Sequence, residues 1–317
     1  MSSMKYSCND IAIIIPTKDR PQKICNLLES IALQKTIPRR IIIVASGQNI
    51  EDKVSSFSNK LPIEYYHTDL YGQLIQRNIA IDKLDQSTSL ACFFDDDIVL
   101  EEGSLEHMIS FWNKTDNHTA GVSFNVINNP EHKCSLIQRI LYFSVPEQGK
   151  VLKSGMTTPT SPTNKDIRTQ WLCGGATVWK QDIIKMFEHK QIKAKWAIAE
   201  DLIYSYPIGK KYPLYVSSKS CVRHEHVFDY AVSEKEYFHG KVQTLWWFYF
   251  VESNDDLSRT LFIFVTITKI IGRLFLGIIR LDNNRVKFSA GQLQGLVLFL
   301  NTLVRSQDLK SLLIDQN

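Results

Sequence analysis

The chain has 317 residues, 44% of them hydrophobic and 22% charged, with a formal net charge of +4. That length supports a sizeable core and one large or two modest domains, and the composition excludes disordered and fibrous classes. A charge of +4 is too mild to make nucleic acid an expected partner. Cys8, Cys25, Cys92, Cys134, Cys173 and Cys221 form no CxxC pair, which argues against a zinc ribbon or disulfide framework and fits a reducing cytosol. The stretch from Met1 to Asp10 is polar and without an apolar core, so no secretory signal is expected.

Ile11 to Ile15 is a continuous β-branched run, the pattern of a strand covered on both faces. Pro16 to Pro21 stops it. Ile24, Leu27, Leu28, Ile31 and Ala32 then share one stripe of a predicted helix, which ends before Pro38. Arg40 to Val44 and Pro62 to His67 read as the next two strands, with a turn at Ser46-Gly47. Gly72 to Leu84 is helical, and its pattern turns Leu74, Ile75, Ile79, Ala80 and Leu84 inward. Leu90 to Phe94 is a buried strand. Strand, helix, strand, strand, helix, strand predicts right-handed crossovers and a mostly parallel sheet.

That last strand runs into Asp95, Asp96 and Asp97. Carboxylates at the carboxyl edge of an open sheet sit where such sheets bind ligands. Three adjacent like charges repel unless a cation neutralises them, and oxygen ligands suit Mg²⁺ or Mn²⁺. A solvated acidic turn is the other reading of the same triplet.

Gly103 to Trp112 is a predicted helix and Ala120 to Val126 a strand. Asn128 to Arg168 is a long insertion, with helix near Ser135 to Phe143, and reads either as a substrate-facing segment or as a variable surface loop. Trp171 to Trp179 carries Gly174 and Gly175 within an apolar run, either a bulge or a place where a ligand comes close. Asp182 to Phe187 begins another helix. Glu200 and Asp201 stand near the start of a further one, where acids also serve as ordinary caps. Leu214 to Val222 is a strand closed by Arg223-His224-Glu225-His226, whose histidines are either structural or metal-binding.

From Gly240 the composition changes. Trp246 to Phe250 is an aromatic cluster of the kind found at membrane interfaces. Leu261 to Leu281 is long enough to span a bilayer, but Lys269, Arg273 and Arg280 fall on one helical face. Leu293 to Arg305 repeats the design, with Gln294, Asn301 and Arg305 on a narrow face. The expectation is a helix lying in the interface of an anionic membrane with its cations at the headgroups. A pair of helices packed on the rest of the protein is the alternative.

Ile13-Ile14-Ile15-Pro16-Thr17, Gly72 with Arg77-Asn78, Phe94 to Asp97 as a DxD motif, Gly174-Gly175-Ala176, Glu200-Asp201 and Val222-Arg223-His224, in this order, resemble the family 2 glycosyltransferases with the GT-A fold. The resemblance covers roughly residues 10 to 230. One position departs from it: the second strand of that family commonly ends in an Asp that contacts the nucleotide base, and here Ala45-Ser46-Gly47 follows Ile43-Val44. Asp69, after the third strand, is the candidate substitute.

The resemblance implies an α/β, Rossmann-like, mostly parallel sheet flanked by helices. It implies a catalytic domain over 1–239, with a nucleotide-sugar half at about 10–100 and an acceptor half at about 101–239. An apolar and basic helical extension over 240–317 would associate with the membrane. The implied reaction is inverting transfer of a sugar from a nucleotide-diphosphate donor to an acceptor hydroxyl. The resemblance assigns Asp97, Asp95 and His224 to Mg²⁺ or Mn²⁺, with His226 as fallback. It assigns Pro16, Thr17, Asp19, Arg77, Asp95 and Asp96 to the donor, and Asp201, with Glu200 as alternate, as base. Trp171, Gly174 and Gly175 are assigned to the acceptor. Bacterial members of the family that act on lipid-linked saccharides imply such an acceptor at the cytoplasmic face of the inner membrane, in surface polysaccharide synthesis. Transfer to polyprenyl phosphate, and a catalytically dead saccharide-binding or scaffold protein, are the competing readings.

Overall fold

The structure is a computed structural model. It describes residues 5–187, 198–225 and 233–305, together with Lys310 and Leu313. The chain divides into two compact units, one of residues 1–132, 159–191 and 204–226 and the other of 133–158, 192–203 and 227–317.

The first unit is built on one sheet. Its opening strands are β1 (Ile11–Lys18), β2 (Arg40–Ser46) and β3 (Ile63–Thr68), with helix α1 (Pro21–Ala32) after β1 and a short α2 (Glu51–Ser55) after β2. Helix α3 (Gln73–Ile81) then leads into β4 (Leu90–Phe94). These four strands are all parallel, in the order β3-β2-β1-β4, with Ile13 opposite both Ile41 and Cys92. All of β1 but Lys18 and all of β2 but Arg40 is buried. Alternate side chains enter two cores: Ile13, Ile15, Ile41 and Ile43 on one face with Leu27 and Leu28, and Ile14, Ile42 and Val44 on the other with Phe93 and Trp179. Each such isoleucine contributes about 1.5–3 kcal/mol by leaving water. The continuous apolar runs of the sequence reflect this double covering.

The chain continues through β5 (Ile98–Leu100), α4 (Ser104–Lys114), β6 (Gly121–Val126), α5 (Leu136–Ile140, in the second unit), β7 (Ile167–Thr169), β8 (Ala176–Lys180), α6 (Gln181–Met186), α7 (Glu200–Gly209, its first turn in the second unit) and β9 (Leu214–His224). Beyond β4 the sheet continues β8-β6-β9-β5, with β7 also on β9. Strand β8 runs antiparallel to β4, with Phe94 opposite Ala176, so Gly175 lies beside Asp95 at the carboxyl end of the parallel strands. Strand β9 pairs antiparallel with β5, with His224 opposite Ile98, so the end of β9 returns to the acidic triplet.

One expectation for α3 is corrected in part. Ile79, Ala80 and Leu84 pack on the core as expected, but the other buried residues of the helix are Gln76 and Arg77, while Leu74 and Ile75 are half-buried. Gln76 donates to Thr17 O at 2.7 Å and Val44 O at 2.8 Å, so hydrogen bonds to strand ends decide which side of α3 faces in.

In the second unit, α8 (Ser233–Glu252), α9 (Arg259–Ile279) and α10 (Asn283–Arg305) pack with segment 133–158. Helices α8 and α10 meet backbone to backbone. A Cβ on Gly240 would lie 2.1 Å from Phe288 O, and one on Gly291 would lie 1.9 Å from Tyr237 O. The aromatic cluster expected at a membrane interface is instead core. Trp246, Phe248 and Phe250 are buried, and the Phe248 ring stacks on Phe299 at 3.7 Å and meets Phe262 edge-on at 4.6 Å. Burying rings of this size against each other outweighs placing them at headgroups.

The basic stripe is corrected too. Lys269 and Arg273 turn into their own unit. The Lys269 ammonium lies over the Phe143 ring at 5.5 Å, and Arg273 donates to Gln292 Oε1 at 2.6 Å and covers the Phe288 ring at 4.4 Å. Arg280, just past the end of α9, is exposed. The outward side of α9 is therefore apolar, with Ile271 and Phe275 each 62% exposed. The helix is long and apolar enough to cross a membrane by length and composition.

Candidate active site

The acidic triplet and the end of β9 line a cavity of about 430 Å³ at the carboxyl end of β1 and β4. Each carboxylate has a different set of partners. Asp95 accepts from the Arg77 guanidinium at 2.7 Å and from the Gln73 amide, and its own N–H donates to Gly175 O at 2.9 Å. Asp96, 5% exposed, accepts from Thr17 Oγ1 at 2.7 Å and Arg20 Nη1 at 3.1 Å. Burial pushes the Asp96 carboxyl above the ordinary range, and the Thr17 hydroxyl and the Arg20 charge pull against that rise. Asp97 Oδ1 lies 2.8 Å from His224 Nε2, with Arg20 at 3.8 Å from its other oxygen.

The backbone holds these groups in place. Glu225 N donates to Asp97 O at 2.8 Å, tying the end of β9 to the triplet. Asn128 braces His224 on both sides, accepting from its N–H at 3.0 Å and donating to its carbonyl at 2.9 Å. No sequence pattern marked Asn128, which is joined to His224 only by the fold. Gln73, Gln76 and Arg20 were missed as well, although Gln73 and Gln76 precede Arg77 by four and one positions on the same helix.

Asp95, Asp97 and His224 each offer a ligand atom, and these atoms lie within 4.8 Å of one another. Two carboxylate oxygens and an imidazole nitrogen suit a divalent cation such as Mg²⁺ or Mn²⁺ that keeps positions for other oxygens. The floor of the cluster is cut to this size. A Cβ on residue 175 would lie 2.8 Å from Asp95 Oδ2 and 3.7 Å from His224 Cε1, so Gly175 leaves the space that any side chain would fill.

The structure thus brings Pro16, Thr17, Asp95, Asp96, Asp97 and His224 to one cavity, with Gly175 against it. Arg77 reaches the cluster differently from expectation. It is 2% exposed, donates to Asp95 and to Gly174 O at 3.2 Å, and so positions these groups rather than presenting a fork to a phosphate. Asp19 is also engaged. Its backbone is left-handed, with φ 54°, and its Oδ1 accepts from Gln48 N at 2.7 Å, clasping the turn after β2. That turn contains Gly47, with φ 75°, where a Cβ would strike Asp19 Oδ1 at 2.2 Å. Trp171 is half-buried, whereas Trp179 is core, donating to Thr177 Oγ1 at 3.0 Å. Glu200 and Asp201 form the first turn of α7 and belong to the second unit. His226 lies outside the described residues.

Comparison with known proteins gives the fold a family. No curated protein sequence matches significantly. Among solved structures, S. aureus TarS 1-349 aligns with a TM-score of 0.51 at 14% identity, over 94% of this chain and 92% of that one. The mannosyltransferase PcManGT from Pyrobaculum calidifontis, in complex with GDP-Man and Mn²⁺, aligns at 0.52 and 12% identity, over 98% and 84%. GalNAc-T7 with UDP, GalNAc and Mn²⁺ aligns at 0.55 and 13% identity over 80% of this chain, which spans about half, 53%, of that longer one. At such identities the likeness is one of fold. The model of the family described as glycosyl transferase family 2 matches residues 12–177, from β1 through the glycine pair, more than half of the chain. The chain belongs to glycosyl transferase family 2 and is a glycosyltransferase.

Proposed function

We propose that this glycosyltransferase moves a sugar from a nucleotide-diphosphate donor to an acceptor hydroxyl with inversion, aided by a divalent cation. The observation that carries the reading is the grouping of Asp95, Asp97 and His224 within 4.8 Å at the sheet's carboxyl edge. Two structures of the same fold, PcManGT and GalNAc-T7, were solved with a nucleotide or nucleotide sugar and Mn²⁺, which supports the reading.

Asp95, Asp97 and His224 would hold the ion, whose chemistry is to stabilise negative charge growing on the departing diphosphate. The protein's own residues prepare that site. Arg77 and Gln73 fix Asp95, while Asn128 and the Glu225 N–H fix the end of β9. Thr17 and Arg20 hold Asp96 beneath the cavity, and Lys18 and Arg20 line it with positive charge suited to phosphate oxygens. Asp19 orders the turn after β2, on the nucleotide side of the sheet. An acceptor hydroxyl needs a base in the transition state. Asp201 is that base in this proposal, with Glu200 as its alternate, and Trp171 with the glycine pair borders the acceptor.

The acceptor is a lipid-linked saccharide of bacterial surface polysaccharide, met at the cytoplasmic face of the inner membrane by a peripheral enzyme. Support comes from the outward apolar side chains of the second unit, including Leu136 and Ile137, each 68% exposed, Ile271 and Phe275. A soluble surface rarely carries so many.

The test is nucleoside diphosphate release from a panel of nucleotide sugars with Mn²⁺, using full-length protein and bacterial membranes as acceptor source. Release with one donor, lost in Asp201→Asn while that donor still binds, is the expected result. Wild-type turnover by Asp201→Asn would remove Asp201 as base, and no release with any donor would remove the donor reading.

A further inference from the structure

The second unit contains a cavity of its own, of about 120 Å³, between segment 133–158 and helices α8, α9 and α10. Lys269 lines it. The Lys269 ammonium lies 2.7 Å from Met156 Sδ, and the Phe143 ring stands on another side. A thioether is a weak acceptor. Among the described residues no carboxylate pairs with Lys269, and the charged neighbour that acts on it is a second cation, Arg273. Taking an ammonium out of water without a counter-charge costs several kcal/mol. Burial accordingly pulls the Lys269 pKa down to about 8.

The remaining polar lining offers donors. Gln292 is 6% exposed, and its Oε1 already accepts from Arg273, which leaves its NH₂ as the free end of the amide. The indole N–H of Trp247 is buried and has no partner among the described residues. Thr266, buried, adds a hydroxyl, while the Thr244 hydroxyl is spent on Gly240 O at 2.8 Å. A cation, an amide donor, an indole donor and a hydroxyl around one small space are complementary to an oxyanion. The space takes several waters or one phosphate group and is too small for a nucleotide.

We infer that this cavity is a second ligand site, taking a single phosphate group with Lys269 as its anchoring cation. The inference is independent of the donor site, since every lining residue belongs to the helical unit. The phosphate has two possible sources, free phosphate or the monoester headgroup of a lipid.

The experiment uses full-length protein with divalent metal chelated. One arm titrates inorganic phosphate and follows the Trp247 indole N–H resonance. The other measures flotation with phosphatidylcholine vesicles carrying phosphatidic acid, against vesicles carrying phosphatidylglycerol as the anionic diester control. Wild-type protein should respond in at least one arm. Lys269→Met should weaken that response about tenfold or more, as loss of a charge-assisted bond does, and Lys269→Arg should retain most of it. A response to free phosphate assigns the soluble source, and one confined to phosphatidic acid assigns the headgroup. No response in either arm, or an equal response from Lys269→Met with a native melting transition, overturns the proposal.

Discussion

In the sheet unit, three adjacent acids each face polar or charged partners: Arg77 for Asp95, Thr17 and Arg20 for Asp96, and His224 with the same Arg20 for Asp97. In the helical unit, two adjacent cations face a thioether, two rings and an amide. Both arrangements keep charge away from water, but the first sets guanidinium groups against its carboxylates, whereas in the second Glu236 acts on Arg273 and no carboxylate among the described residues pairs with Lys269. A neutralised cluster is rigid, because each partner restrains the other, and it holds ligand atoms where an ion can use them. A cation without an anion is a standing cost, and evolution tolerates such costs mainly at functional sites. The difference separates a site organised for a cation from one organised for an anion.

Breaking the first arrangement has the largest expected effect. Asp95→Ala leaves the Arg77 guanidinium buried without its carboxylate, and loss of one partner from a buried pair costs about 3–5 kcal/mol. Chemical denaturation should show a lower midpoint with an unchanged slope. An unchanged midpoint would mean that Gly174 O and the Phe93 ring suffice for Arg77.

Lys269→Met should act in the opposite direction. In phosphate-free buffer it removes an unpaired charge and should stabilise the protein by no more than about 3 kcal/mol near neutral pH. The sign follows from linkage. Below pH about 8 the folded and unfolded states both carry the proton, so the cost is full. Between about 8 and the ordinary lysine value of 10.5 the unfolded state binds more protons, so wild-type stability rises with pH relative to the variant. Melting curves of both proteins across that window should converge at its alkaline end. Parallel curves would mean that Lys269 is not desolvated.

Gly175→Ala sharpens the description of the first site. The added methyl meets Asp95 Oδ2 at 2.8 Å, and shifting a ligand should weaken Mn²⁺ about 10- to 100-fold. The smallest effect is expected for Asp19→Ala, which loses the bond to Gln48 N and should cost about 0.5–1.5 kcal/mol, seen as faster hydrogen exchange at that amide.

Much of the sheet unit was legible in the sequence. Ile11–Lys18, Arg40–Ser46 and Leu90–Phe94 are strands buried on both faces, and continuous apolar runs announce them. The acidic triplet at the end of β4 was equally plain. His224 was reachable through the family's order of motifs, whereas Asn128 was not, since only the parallel pairing of β6 with β9 brings it close. The helical unit was less legible. Helical periodicity placed Lys269 and Arg273 on one face, but it does not say whether that face meets solvent or protein. Their partners, Phe143 and Met156 in one segment and Phe288 and Gln292 in another, are far apart in the chain. Likewise Trp246 to Phe250 reads as an interface cluster until Phe262 and Phe299 are seen against it.

The most direct test is a Mn²⁺ titration followed by electron paramagnetic resonance, with and without a nucleoside diphosphate, on wild-type protein, Asp97→Asn and His224→Ala. Wild-type protein should bind one Mn²⁺, and more tightly with the nucleotide present. Each variant should lose that binding while keeping a native melting transition. Wild-type Mn²⁺ affinity in both variants would contradict the assignment of Asp95, Asp97 and His224 as the site that joins the cation to the donor diphosphate.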